Sequence, residues 1–391
     1  MKIVNGKVFI NGKFILGGIE FDEKIIAVGE TVKGGGAKAE AYDSTGANDN
    51  AGDNCNDILD AGGDYIIPGL VDIHTHAAVG EDSSDGKPKA MSVMGRYYAL
   101  EGVTSWCPTT MTLKEPELTK AVRAIASYER SVGMAKVAGI NLEGPFLSMA
   151  KKGAQNADNL HEPDVEMFNR INEASGGIVK LITVAPEEKG AIEFIEKVSK
   201  ICTVSIGHTA ADYETAMAAY RAGASHATHL FNGMPGIHHR EPGVIPAALD
   251  SDASVELITD GLHIHPSVIR LASKLFGDKL CLISDSLRCA GMPDGEYELG
   301  GQLIEKKDGK AYLKGTDTIA GSSIHLMEGL RRCVKFGLPL ETAVKAATIA
   351  PAKAIKCDSE IGSLEKGKYA DFVILDKNLK VKAVYINGEK I

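Results

Sequence analysis

The chain lacks several features, and each absence excludes a class of protein. No apolar run approaches the roughly 20 residues that a helical membrane span needs. No block of Lys or Arg occurs, and 43 basic against 52 acidic residues leave a net charge of −9. That balance argues against nucleic acid as a bulk electrostatic partner. The seven cysteines (Cys55, Cys107, Cys202, Cys281, Cys289, Cys333 and Cys357) are odd in number, scattered, and never spaced C-x-x-C. Such usage fits reduced thiols rather than a disulfide frame or a structural zinc knot. The opening MKIVNGKVFINGKFI alternates like a strand hairpin and lacks the apolar centre and cleavage site of a signal peptide. A cytoplasmic location is the resulting expectation. What remains is an ordinary globular composition, 44% hydrophobic and 24% charged, over 391 residues. That length allows two or three domains, or one large barrel with an appendage.

Both ends of the chain share one texture. The first 30 residues read as short strands with an Asn-Gly hairpin signal at Asn11–Gly12. The tail GSLEKGKYADFVILDKNLKVKAVYINGEKI returns to strands, with a second such signal at Asn387–Gly388. Residues 31–59, with GGG and TGANDNAGDNCND, are too polar and Gly-rich to pack and read as a flexible loop. Between the ends, eight short apolar runs alternate with helix-like text: YIIPGLVDIH, GVTSWCPTT, KVAGINLE, IVKLITVAP, CTVSIGH, SHATHL, SVELITD and KLCLISD. Strands alternating with helices imply parallel βα units, and eight of them imply a closed (β/α)₈ barrel. The expected architecture is therefore an α/β, TIM-like barrel over 65–357. A small β-sandwich domain from 1–64 and 358–391 flanks it.

In such a barrel, functional groups sit at the C-terminal strand ends. The last residues of these runs are biased toward imidazole and carboxylate: His74 and His76, Glu143, His208, His226 and His229, Asp260 and His263, and Asp285. Residues i and i+2 of a strand face the same way, so His74 and His76 can both enter the barrel mouth. Each residue also has a plainer explanation. Glu143 could be a solvated strand end, His208 and His229 buried hydrogen-bonded rings, and Asp285 a helix cap. Their joint fall on strand ends of one barrel favours a shared divalent metal site. His226 lies three residues from His229 and, on a strand, points to the opposite side, so it is assigned a structural role. His161, His238, His239 and His265 have no strand-end position, and His325 lies in a helical stretch.

PGLVDIHTH, NLEGPF, KKGAQN, GHT, THLFN, HHREPG, TDGLH, ISDS and IAGS together resemble the N-acetylglucosamine-6-phosphate deacetylases of the amidohydrolase superfamily. The resemblance implies hydrolysis of the acetamide of N-acetyl-D-glucosamine 6-phosphate, in amino-sugar catabolism and cell-wall recycling. It implies principal metal ligands at Glu143, His208 and His229, and a second metal at His74 and His76 in members that use two. Zinc is the expected ion, with iron as the alternative. The catalytic carboxylate falls on Asp285. Substrate contacts fall on Ala154, Gln155, Asn232, Gly233, Arg240, Asp260, His263, Ile319, Ala320 and Gly321. Arg240 offers a permanently charged fork suited to phosphate. The resemblance also implies a homodimer or homotetramer. Gln155 stands where some members carry His. Two features depart from the usual pattern: the 31–59 stretch is longer than expected in the small domain, and Gly233 stands where Ala is usual.

Other chemistries on the same barrel remain in view. A cyclic-amide hydrolase would bridge its metals with a modified Lys, yet no Lys ends a comparable run. A deaminase would show a different His/Glu arrangement after the fifth run, and an N-acyl-amino-acid deacylase shares the metal chemistry. A scaffold that has lost its metal should lack a ligand, and here all are kept.

Overall fold

The structure is a computed structural model that describes residues 1–32, 40–41 and 58–391. Eight parallel strands form the barrel: Leu70–Thr75, Val103–Thr110, Ile140–Glu143, Val179–Val184, Thr203–Ile206, His226–Ala227, Ser254–Ile258 and Leu280–Ile283. Each neighbouring pair in that order is hydrogen-bonded in parallel. The last strand returns to the first through its outgoing loop, where the Asp285 N–H donates to the His74 carbonyl at 2.9 Å. Each of the eight apolar runs thus supplies a barrel strand. A helix follows each one, beginning with Pro88–Leu100 and ending with Leu326–Lys335.

Local chemistry sets these helices. Asp164 accepts hydrogen bonds from the Glu166 and Met167 N–H groups, and Asp212 from that of Thr215, satisfying first-turn donors. Pro88, Pro116 and Pro266 occupy the opening turns, where a missing N–H costs nothing. The buried helix faces cover the strands with a continuous apolar layer that includes Tyr98, Trp106, Phe168, Phe194 and Leu330.

The interior of the barrel is different, being lined with buried polar groups. Thr183 and Ser205 both hydrogen-bond to the Thr228 hydroxyl, at 2.9 and 2.6 Å. Asp72, Asn141 and Glu256 are fully buried as well.

The chain ends and the first apolar run build a second sheet, which runs in the order Glu389–Lys390, Val381–Ile386, Phe372–Leu375, Tyr65–Pro68, Lys2–Ile10, Lys13–Phe21, Ile25–Gly29. It is a single hydrogen-bonded sheet folded over on itself, so the expected sandwich has one continuous ladder. Phe21 meets Phe372 and Tyr385 edge-on, with ring centroids 4.9 and 5.4 Å apart. The boundary expected before Tyr65 is corrected: Tyr65–Pro68 pairs with Lys2–Ile10 and Phe372–Leu375, and the barrel begins at Leu70. Gly69 is the crossing point. A Cβ there would lie 2.1 Å from Thr104 Oγ1, so only glycine lets the chain pass from sheet to barrel.

The loop expected over 31–59 falls largely outside the described residues. Within it, Glu40–Ala41 pairs with Leu59 and Asp60, and Ile58–Asp60 also pairs with Lys2–Val4, so its last two residues are strand. A three-stranded antiparallel insertion, Gly295–Leu299, Gln302–Lys307 and Lys310–Leu313, follows the eighth barrel strand. Its Leu299, Ile304 and Ala311 pack with Met111, Leu287 and Ala320 beside the barrel mouth. Among the described residues, no helix is long and apolar enough to cross a membrane.

Candidate metal centre

Glu143 ends the third barrel strand, almost fully buried, and is the point on which the histidines converge. Its Oε1 lies 2.8 Å from His229 Nε2, 3.1 Å from His208 Nε2 and 3.4 Å from His74 Nε2. Its Oε2 lies 3.2 Å from His76 Nε2. Asp285 closes the ring, with Oδ1 3.3 Å from His76 Nε2 and 3.7 Å from His74 Nε2. Two sets of donors therefore share one carboxylate: His74, His76 and Glu143, and Glu143, His208 and His229.

The two sets are positioned differently. His74 belongs to a strand and His76 immediately follows it, so the alternation of the pleat aims both rings inward. His208, His229 and Asp285 lie just beyond their strands in left-handed backbone, with φ of 46°, 23° and 47°. That conformation is uncommon for non-glycine residues and turns the chain end into the mouth. Ring orientation is set from behind. His208 Nδ1 lies 2.8 Å from the Lys151 carbonyl, and His229 Nδ1 lies 3.2 Å from that of Asn232. Carbonyls only accept, so both rings carry their proton on Nδ1 and present Nε2.

Electrostatics follow from crowding. Burial raises the Glu143 pKa, yet the surrounding His208 and His74 outweigh it and hold the carboxyl well below the usual range. For His76, burial opposes the charge, but Asp285 and Glu143 push its pKa up to about 9. Asp285 is also lowered: burial acts against ionisation, but the hydrogen bond with His76 and the charges of His74 and His76 together outweigh it.

A cation of the kind the family resemblance implies fits this donor set. Four imidazole nitrogens and two carboxylates are the nitrogen and oxygen ligands a borderline divalent ion takes. His74 Nε2, although buried, has no hydrogen-bond partner in the protein. Such an orphaned acceptor inside a ring of ligands is explained by a bound ion.

A cavity of about 240 Å³ opens over this centre. Of the expected contacts, Ala154, Gln155, Asn232, Gly233, His263, Ile319, Ala320 and Gly321 line it, together with His76, Glu143, His208, His229 and Asp285. Gly233 is fitted to its place: φ is +62°, and a Cβ would lie 3.1 Å from His208 Nδ1.

Three expected contacts are placed differently from the rest. Gln155 lines the cavity, but its amide is already engaged. Nε2 donates to Glu143 Oε2 at 2.5 Å, and Oε1 accepts from the Thr112 N–H at 2.8 Å. Asp260 does not line the cavity. It accepts from His263 Nδ1 at 2.7 Å and from the N–H groups of Leu262 and His263, so it holds His263 in place. Arg240 is exposed and outside the cavity, because residues 236–241 hold no buried anchor and Ile237 is itself 49% exposed.

The structure also adds Glu256 and corrects His226. Glu256 sits in the middle of Ser254–Ile258, fully buried. Its Oε2 lies 2.8 Å from His74 Nδ1 and accepts the His229 N–H at 3.1 Å, while Oε1 lies 3.2 Å from His226 Nε2. Burial raises its pKa, but His74 and His226 outweigh it and keep the group ionised. His226 does not point away. Its strand is only His226–Ala227, so strand alternation does not extend to His229. The signal for Glu256 was a carboxylate in the middle of an apolar run. Elsewhere, His265 and His325 cap helices, His238 and His239 are exposed beside each other, and His161 is exposed.

Comparison with known proteins agrees with this geometry. The sequence profile of the amidohydrolase family matches residues 65–391. The N-acetylglucosamine-6-phosphate deacetylase of Bacillus subtilis (strain 168) is 38% identical over 83% of this chain and 83% of its own. The N-acetylgalactosamine-6-phosphate deacetylase of Escherichia coli O157:H7 is 33% identical over 85% of this chain and 89% of its own. Among solved structures, a variant N-acetyl-D-glucosamine-6-phosphate deacetylase of Mycobacterium smegmatis, in complex with N-acetyl-D-glucosamine-6-phosphate, superposes with a TM-score of 0.89. That match is 31% identical and covers 100% of this chain and 98% of the other. With the profile spanning most of the chain, this protein belongs to the amidohydrolase family.

Proposed function

We propose that the chain hydrolyses the acetamide of N-acetyl-D-glucosamine 6-phosphate, giving acetate and D-glucosamine 6-phosphate. The observation that carries this reading is the buried Glu143 carboxylate, with four imidazole nitrogens within 3.4 Å and Asp285 across from them.

Glu143, His208 and His229 are the residues that would hold one divalent cation, and His74 and His76 a second that shares Glu143. Zinc is the favoured ion and iron the alternative. When bound, such a cation supplies Lewis-acid chemistry, making water acidic near neutral pH and polarising the amide carbonyl. Asp285 does the proton work. Its lowered pKa leaves it ionised at neutral pH, able to take a proton from water as the oxygen–carbon bond forms. It returns that proton to the amine nitrogen as the carbon–nitrogen bond breaks. His263 keeps Nδ1 on Asp260 and so has Nε2 left for a sugar or phosphate oxygen. Gln155 steadies Glu143. Arg240, exposed on its loop, is the cation this reading assigns to the phosphate. A homodimer or homotetramer in the cytoplasm rests on the family resemblance, and light scattering measures the assembly.

The test is acetate release from N-acetylglucosamine 6-phosphate beside its unphosphorylated analogue. Phosphate recognition by a charged group is expected to favour the phosphosugar about tenfold or more in kcat/KM. Equal rates would remove the phosphate assignment, and no release from either would remove the reading. The relative named for N-acetylgalactosamine 6-phosphate makes that epimer the second substrate to assay. Arg240→Ala is expected to raise KM for the phosphosugar alone.

A further inference from the structure

We propose that Glu256, backed by His226, is a positioning residue that commits His74 to the His74–His76–Glu143 group. On this proposal that group retains its own cation beside the one at Glu143, His208 and His229. The proposal rests on the cation assignment above and not on the identity of the substrate.

The geometry leaves His74 one useful state. Nδ1 lies 2.8 Å from Glu256 Oε2, and an ionised carboxylate only accepts, so the ring proton is on Nδ1. Nε2 then carries the lone pair. It faces Glu143 Oε1 at 3.4 Å and Asp285 Oδ1 at 3.7 Å, and it has no hydrogen-bond partner. Glu256 is itself held on both oxygens. His226 Nε2 lies 3.2 Å from Oε1, and the His226 ring is tied by Nδ1 to Ser254 Oγ at 2.6 Å. Oε2 also accepts the main-chain N–H of His229, a ligand of the other set. One buried carboxylate therefore joins the strand that carries His74 to the turn that carries His229.

This support is particular to His74. His208 and His229 are backed by neutral main-chain carbonyls, and His76 Nδ1 is buried with no partner. Only His74 is backed by a formal negative charge, which strengthens a histidine as a metal ligand. A fully buried carboxylate is costly unless it is paired, and both of its side-chain partners are histidines at or beside the candidate centre.

The test uses Glu256→Gln, which keeps shape and loses charge. Zinc-loaded wild type and variant are titrated with a competing chelator, and zinc per chain is measured by mass spectrometry. Wild type is expected to hold two equivalents. The variant is expected to keep the first with unchanged affinity and to bind the second about 10- to 100-fold more weakly. Retention of the first equivalent reports that the variant is folded. Two equivalents held equally well by the variant, or a single equivalent in zinc-saturated wild type, overturns the proposal. Nitrogen NMR of zinc-loaded ¹⁵N-histidine wild type, assigned with His74→Asn, gives a second readout. A His74 ring protonated on Nδ1 supports the proposal, and one unprotonated at Nδ1 overturns it. Zinc counts are independent of acetate release, so this proposal and the deacetylase reading fail separately.

Discussion

His74 and His76 are delivered by the first barrel strand, whereas His208, His229 and Asp285 are delivered by turns in left-handed backbone. In the first set the pleat does the aiming, and a buried side chain, Glu256, does the backing. In the second, loop conformation does the aiming and main-chain carbonyls do the backing. Glu143 is common to both. A strand-borne ligand is as rigid as the sheet register, while a turn-borne ligand depends on the residues that hold its loop. Damage should therefore be total at the shared carboxylate, selective at Glu256 or Asp285, and graded in the surrounding loops.

The largest effect is expected from Glu143→Gln. Both donor sets lose their common oxygen pair, so bound zinc should fall towards zero and acetate release by on the order of 10⁴-fold. Retention of one full zinc equivalent would break the idea of a shared ligand. Asp285→Asn should separate chemistry from ligand holding. Turnover is expected to fall about 10²- to 10⁴-fold while zinc content stays near the wild-type value.

Asp260→Asn probes a loop support, with a pH signature. Burial lowers the His263 pKa, but Asp260 outweighs it and raises the net value, so the ring stays charged to higher pH than a free histidine. That charge is lost as pH rises through the raised value. Without Asp260 it is lost at lower pH. KM for the phosphosugar should therefore rise most at the alkaline end of the range, by about tenfold, and least at the acid end. A pH-independent change in KM would sink the coupling.

The smallest effect on activity is expected far from either set. Lys136, beside the barrel, meets Asp371 of the terminal sheet at 2.5 Å, with Asp371 almost fully buried. Asp371→Ala removes the ionic partner of Lys136, leaving its ammonium Asn387 Oδ1 at 2.9 Å and the Tyr369 ring, and should cost about 3 kcal/mol of stability by denaturant unfolding. Zinc content and kcat should not move.

Much of this was legible because barrel strands and their ends carry strong local signals. The runs ending in His74, Glu143, His208 and Asp285 place those groups without knowledge of packing, and the structure brings each within 3.7 Å of another. The failures share a cause. YIIPGLVDIH is one apolar run, but Gly69 divides it between two sheets, a partition set by tertiary pairing. His226 was misplaced because a two-residue strand has no alternation to extend. Glu256 is a charged residue at a core position, where its partners come from strands far away in sequence. The Gly295–Leu313 insertion has its own turns at Gly300–Gly301 and Asp308–Gly309, outside the βα period.

The central claim is that distant side chains meet around a cation on which hydrolysis depends. Its most direct test is acetate release from N-acetylglucosamine 6-phosphate before chelation, after chelation to zinc-free protein, and after zinc is returned. Activity should vanish with the ion and come back with it. Undiminished release from protein that elemental analysis finds free of zinc, iron and every other transition ion would contradict the account.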